Sequence, residues 1–189
     1  WNRELAKVRI ESPDTAALNI FYTGMYHAFL QPNLFNDCNK DYRGTDKKEY
    51  TGADFDNYTV FSLWDTYRAA HPLYTILQPE RVPDFIRSML AIYEQQGLLP
   101  VWHLYGSDTK EMIGIQSVPV IADAILKGVP GFDYEKAFEA MKSSMLSNYK
   151  GLEYLKEGNY IPADREKESV AKGLESVSYT HLRAHETGR

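Results

Sequence analysis

With 189 residues, 43% hydrophobic and 25% charged, the chain can bury the core of one domain and does not need a second. Its 26 acidic against 21 basic side chains leave a net charge of −5, which argues against a broad nucleic-acid surface. No apolar run approaches the roughly 18 residues of a membrane span, and the single Cys38 excludes an internal disulfide and a cysteine-based zinc site. Fourteen tyrosines supply over half of the aromatics. They suit either a Tyr-rich interior or a surface that stacks on sugar rings, whose C–H faces match flat aromatic side chains.

The opening "WNRELAKVRI" has no initiator Met and no basic head before an apolar stretch. It reads as the interior of a longer protein, not as a signal peptide. A helix is expected from "SPDTAALNIFYTGMYHAFLQP", with Ser12 as N-cap, Pro13 at the first helical position and Pro32 closing it. Leu18, Phe21, Tyr22, Met25 and Phe29 form its apolar stripe. The Asn-, Asp- and Gly-rich stretch "NLFNDCNKDYRGTDKKEYTGADFDNY" reads as a long ordered loop or small hairpin. Beyond it, Ser62 and Asp65 resemble a capping box for a helix from about Leu63 to Leu77 that Pro72 bends or divides.

"VPDFIRSMLAIYEQQG" carries the clearest helical pattern, with Pro83 near its start, Phe85, Ile86, Met89, Leu90 and Tyr93 on one face, and Gly97 at its end. "VPVIADAILKG" predicts a short helix stopped by Gly128. "FDYEKAFEAMKSSMLSN" predicts another, capped by Asp133, with Tyr134, Ala137, Phe138, Met141 and Met145 inward. Strand signals are few, so the expected fold class is all-α. Helices alternate with loops that carry Trp, His and acidic residues, as in a toroid of paired helices whose loop ends converge on a site.

The tail "SVSYTHLRAHETGR" breaks the pattern. Residues 177–186 back-translate into a string that resembles a transposon-end sequencing adapter. Two units are therefore expected: 1–175 as native sequence and 176–189 as adapter read-through, which is kept out of fold reasoning. The His181/His185 pair at i and i+4 is rejected as a metal site on the same ground.

Three stretches hold candidate chemistry. Asp37, Asn39 and Asp41 begin like a calcium-binding loop, but Tyr42 stands where Gly is needed and Lys48 where a bidentate Glu is needed, so the match fails. In "SLWDTYRAAHP", Trp64, Asp65 and Arg68 share one helical turn, and Arg68 can pair with Asp65 at i+3. In "VWHLYGSDTKEMIG", Asp108 and Glu111 sit beside Trp102, His103 and Tyr105. That stretch reads either as an exposed glycine-containing connection or as a carboxylic acid held against aromatic walls, where partial desolvation keeps a proton available for a leaving oxygen.

"YTVFSLWDTYRAAHPLYTILQPERVPDFIRSML", "GLLPVWHLYGSDTKEMIG" and "SVPVIADAILKGVPGFDYEKAFEAMK" together resemble glycoside hydrolase family 92, the calcium-dependent exo-acting α-mannosidases. "NLFNDCNKDYRG" and "NYIPADREKESVAKGLE" fit as well, so the likeness runs almost from Trp1 to Glu175. The resemblance implies an (α/α)6 toroid, of which this chain is an incomplete middle portion. It also implies inverting hydrolysis of terminal α-mannosides of glycans, including N-glycans, of α-1,2 type. An acid protonates the glycosidic oxygen while a base activates water on the opposite face, with carboxyls roughly 6.5–9.5 Å apart.

Asp108 stands where many members carry Glu and is the implied proton donor, with Glu111 as the alternative. Trp64, Asp65, Arg68, Trp102 and His103 are the implied substrate-binding residues. The resemblance places the base and most of the calcium ligands beyond Glu175, so no metal ligand is assigned within this chain and the segment alone is expected to be inactive. It further implies a bacterial parent enzyme in the periplasm, on the cell surface or secreted. A non-catalytic helical carbohydrate-binding module and another (α/α)6 glycosidase are the competing readings.

Overall fold

The computed structural model describes residues 1–176. The adapter-like stretch from Val177 onward lies outside the described residues. Ser176 lies within a helical run over residues 169–176, and its side chain is buried.

A short α1 (Asn2–Leu5) precedes α2 (Thr15–Ala28). Asp14 caps α2, its Oδ1 accepting the amides of Ala16 and Ala17 at 2.9 and 3.1 Å. The start is thus two residues later than Ser12 and Pro13 predict. A carboxylate can take both free amides at once, while Ser12 Oγ accepts the amide of Asp14 instead. Of the expected stripe Met25 is buried, and Leu18, Phe21, Tyr22 and Phe29 are partly covered.

The polar stretch folds into small antiparallel pairs. β1 (Asn33–Leu34) pairs with β4 (Tyr58–Thr59), and β2 (Tyr42–Arg43) forms a hairpin with β3 (Glu49–Tyr50). Its acids serve the loop itself: Asp41 accepts the Gly52 amide and the Asn39 side-chain amide at 2.8 and 2.7 Å.

β5 (Phe61–Ser62) leads into α3 (Leu63–Thr66) and α4 (Ala70–Leu77). The Ser62 side chain makes no capping bond, so the capping box does not form. The helix divides at 67–69, before Pro72. Pro72 occupies the first turn of α4, where its missing N–H has no helical acceptor to lose.

The central helix α5 (Val82–Gln96) has the predicted limits, with Pro83 in its first turn and Gly97 left-handed at φ 74° beyond its end. Ile86 and Met89 on its inner face are fully buried. α6 (Ser117–Leu126) and α7 (Tyr134–Met145) pack on α5 and on each other, and α4 packs on α6. Leu63, Leu99, Ile115 and Ile121 complete the centre of the core.

Asp133 caps α7 through the Lys136 amide at 3.0 Å. The inward face of α7 is nevertheless Ala137, Ala140 and Ser144. These small residues let the helix approach its neighbours closely and leave Tyr134 and Phe138, each 38% exposed, at the rim. Met141 and Met145 pack at the edge of the core. A 3₁₀ turn (Tyr149–Gly151) and α8 (Leu152–Gly158) follow.

The chain is mostly helical and not strictly all-α. The "VWHLYGSD" stretch is a β-hairpin, β6 (Trp102–Leu104) and β7 (Ser107–Asp108), which extends β5 into a three-stranded antiparallel sheet. Helices dominate, and these small sheets lie between them.

Candidate active site

The β6–β7 turn is made by Tyr105 and Gly106, both left-handed at φ 47° and 76°. Two residues of positive φ give a twist that matches the strands they join. Gly106 is confined as well, because a Cβ there would sit 3.3 Å from the Phe35 ring. Left-handed residues continue past the hairpin, with Lys110 at 54°, Met112 at 62° and Gly114 at 76°. Each side-chain-bearing residue in that region costs about 1–2 kcal/mol, and such strain concentrates at functional sites.

Asp108 lies at the root of this turn, and its carboxylate is fully engaged. Oδ1 accepts the amides of Trp102 and Lys110 at 2.9 and 3.0 Å. Oδ2 accepts the Val101 amide at 3.0 Å and the Gln96 side-chain amide at 3.1 Å. Glu111, three residues on, is exposed and has no hydrogen-bond partner among the described residues. The two carboxyls named from the sequence therefore share one turn but differ in circumstance: one braces the backbone and the other stands open.

Behind the turn, the ammonium of Lys150 donates to the carbonyls of Lys110 and Met112 at 2.5 and 2.6 Å. Burial, reinforced by the charge of Lys172, pulls Lys150 below the usual lysine range. Burial chiefly, with the charges of Asp108 and Glu111 adding to it, pushes the neighbouring Tyr149 phenol well above its ordinary value. Lys172 is buried and paired with Glu166 at 2.5 Å.

A second cluster joins this turn from α3. The Arg68 guanidinium lies over the rings of both Trp64 and Tyr67, at 5.0 and 4.6 Å, and donates to the Tyr67 hydroxyl at 2.7 Å. Its ionic partner is Glu175 at 3.5 Å, not Asp65, which is exposed and has no ion pair among the described residues. Asp65 sits in the first turn of a four-residue helix, while Arg68 has already left that helix, so the i+3 spacing never brings them face to face. Gln116, wholly buried, donates to Glu175 at 3.1 Å and to the Ile113 carbonyl at 3.4 Å. Glu175 thus ties Arg68 to the acid-bearing turn. Trp64 contributes a buried indole N–H with no acceptor among the described residues.

His103 is placed behind the hairpin. Only 2% exposed, it lies between Thr59 at Nδ1 and Thr45 at Nε2, each at 3.2 Å. Thr59 Oγ1 accepts the Tyr105 amide, so its hydroxyl proton is free to point at Nδ1, which leaves the Nε2 proton for Thr45. Burial pushes the imidazole down to about 4, against a smaller opposing pull from Asp108. A neutral, doubly engaged ring holds the hairpin in place. Trp102 is half-buried, and its carbonyl accepts both the amide and the hydroxyl of Thr109.

A cleft of about 640 Å³ opens elsewhere, between the β2–β3 hairpin and α5. Its aromatics are already committed: Tyr42 and Tyr50 stack at 5.2 Å, and Arg87 covers Phe55. Among the described residues no three His, Cys, Asp or Glu side chains gather to hold a metal ion. The described residues alone do not fit a calcium centre. Tyr67, Gln116, Tyr149, Lys150, Glu166 and Lys172 were not anticipated from sequence, since their role rests on contacts distant along the chain. The pairing of Gly and non-Gly left-handed residues was equally unreadable.

The β6–β7 hairpin and the loop after it thus carry one braced and one open carboxyl, and Glu175 and Gln116 link that segment to the ring-stacked Arg68. The sequence matches the glycosyl hydrolase family 92 catalytic domain over residues 1–182, and the chain belongs to that family. Among solved structures it is similar to the GH92 α-mannosidase BT3965 from Bacteroides thetaiotaomicron, with 47% identity over 93% of this chain and a TM-score of 0.90. That enzyme has also been solved in complex with mannoimidazole. The inverting mannosidase BT2199 from the same organism is 32% identical over 93% of this chain, with a TM-score of 0.84. The chain spans about a quarter of the length of these relatives, covering 24% and 25% of them. Among curated proteins none is significantly similar to it.

Proposed function

We propose that residues 1–175 belong to the (α/α)6 catalytic domain of an exo-acting, inverting α-mannosidase that removes terminal α-mannosides, of α-1,2 type, from glycans such as N-glycans. The observation that carries this reading is the 47% identity to an α-mannosidase over nearly the whole chain. The turn from Asp108 to Met112 is the place for the proton donor, because it carries two carboxyls on a strained, tightly braced backbone that Gln116 and Glu175 link to the Trp64–Tyr67–Arg68 cluster. Trp64, Asp65, Arg68 and Trp102 line or brace the sugar subsite, and His103 supports the hairpin from behind. The water-activating base and most of the calcium ligands come from parts of the longer enzyme outside the described residues. When bound, calcium would supply contacts to sugar hydroxyls and favour a flattened ring. Export to the periplasm, cell surface or medium of a bacterium completes the proposal, as does an adapter origin for residues 176–189.

Proton NMR of the intact enzyme acting on α-1,2-mannobiose tests the reaction directly. The expected first product is β-mannose, which later mutarotates. First-formed α-mannose would overturn inversion, and no free mannose would overturn the mannosidase reading. Chelation with EDTA is expected to abolish turnover and added calcium to restore it. Full activity after exhaustive chelation would remove the metal from the account.

A further inference from the structure

Glu111 is flanked by two left-handed residues, Lys110 and Met112, whose carbonyls converge on one side chain. An ammonium carries three donors and no acceptor, so it suits two converging carbonyl oxygens. Lys150 supplies it and makes no close ion pair among the described residues, its hydrogen bonds going to the turn. Tyr149, whose ring lies 5.3 Å from the ammonium, adds a longer bond from its hydroxyl to the Lys110 carbonyl at 3.4 Å.

The base of this strap is itself fixed. Lys150 is left-handed at φ 47°, and Gly151 follows at φ 89°. A Cβ on Gly151 would meet Glu166 Cγ at 2.9 Å and Ile161 Cγ2 at 3.1 Å. The chain enters α8 by a route that only glycine permits, and that route aims the preceding lysine at the acid-bearing turn.

We propose that Lys150 is a positioning residue: clamped between the carbonyls on either side of Glu111, it keeps the turn in its left-handed course and sets where the Glu111 carboxyl stands in the catalytic centre. The inference rests on the reading of this turn as part of an α-mannosidase active site. A direct contact with substrate is not involved, since the ammonium faces the protein backbone.

The test uses the intact enzyme with Lys150→Cys, before and after S-aminoethylation, which rebuilds a lysine-length amine. Wild type is treated in parallel because Cys38 is exposed. Deuterium uptake is followed at the amides of residues 109–114, and kcat and KM are measured with and without Glu111→Gln. Without the amine, uptake is expected to rise and kcat to fall about tenfold to a hundredfold, with KM changing less than about threefold. Little further loss is expected in the Glu111→Gln background, because a residue acting through another is non-additive with it. Aminoethylation is expected to restore both readouts. Unchanged uptake, or losses that multiply in the double variant, would overturn the proposal. A wild-type enzyme that releases no mannose would instead defeat the mannosidase reading, while the exchange data still decide whether Lys150 holds the turn.

Discussion

Two histidines are held neutral by their surroundings. His103, which the family resemblance implies as a substrate-binding residue, has its ring enclosed between two threonine hydroxyls and kept neutral. His71 is likewise buried, against Phe61, Tyr74 and Phe85, and burial pushes it down to about 4. Both folded values lie below the ordinary 6.5, so unfolding takes up protons as the pH falls. The sign follows: stability is full above about pH 6.5 and declines toward pH 4, by about 1–3 kcal/mol for each ring. Melting curves between pH 7 and 4.5 are expected to show this decline, and His103→Gln to flatten part of it. A pH-independent melting temperature would contradict the neutral, buried assignment.

Asp108 poses the converse problem. Asp108→Ala leaves three backbone amides without their acceptor, which predicts a stability loss of about 1–3 kcal/mol or more. Glu111→Ala, at an exposed site, is expected to leave stability within about 0.5 kcal/mol. Chemical denaturation of the two variants checks the contrast, and equal losses would mean that the brace is not where the bonds place it.

At the scale of elements, the long helices were legible because their signals are local. Pro83 and Gly97 bracket α5, and Asp133 opens α7, within a few residues of the turns they control. The β6–β7 hairpin was not legible. Its turn uses Tyr-Gly where Asn-Gly is the recognisable pair, and its strands are only three and two residues long. The structure exposes the constraint on Gly106, whose left-handed φ and nearness to Phe35 both oppose a side chain. Gly106→Ala is expected to destabilise the protein by about 1–2 kcal/mol, read as a fall in melting temperature. A neutral substitution would argue against the two-residue turn.

For the whole molecule, the site is a meeting of distant segments, which explains why so little of it could be read in advance. Arg68 was paired with the nearest acid on its helix, whereas the fold delivers Glu175 from a much later segment. Gln116 and Lys150 carry no pattern of their own and become meaningful only when α6 and α8 bring their ends to the Asp108–Met112 turn. The sequence could name the turn and the α3 cluster because each is compact along the chain. It could not show which carboxyl is engaged and which is open, since that depends on amides and carbonyls converging from several elements.

The most direct test of the claim that this turn supplies the proton donor compares Asp108→Asn and Glu111→Gln in the intact enzyme on two α-mannosides, one with an activated aryl leaving group and one with a poor alkyl leaving group. Removing the donor slows departure of the alkyl group far more than the aryl group, because only the former needs the proton. The account predicts that leaving-group-dependent loss in at least one of the two variants. Losses of the same size on both substrates, in both variants, would contradict it.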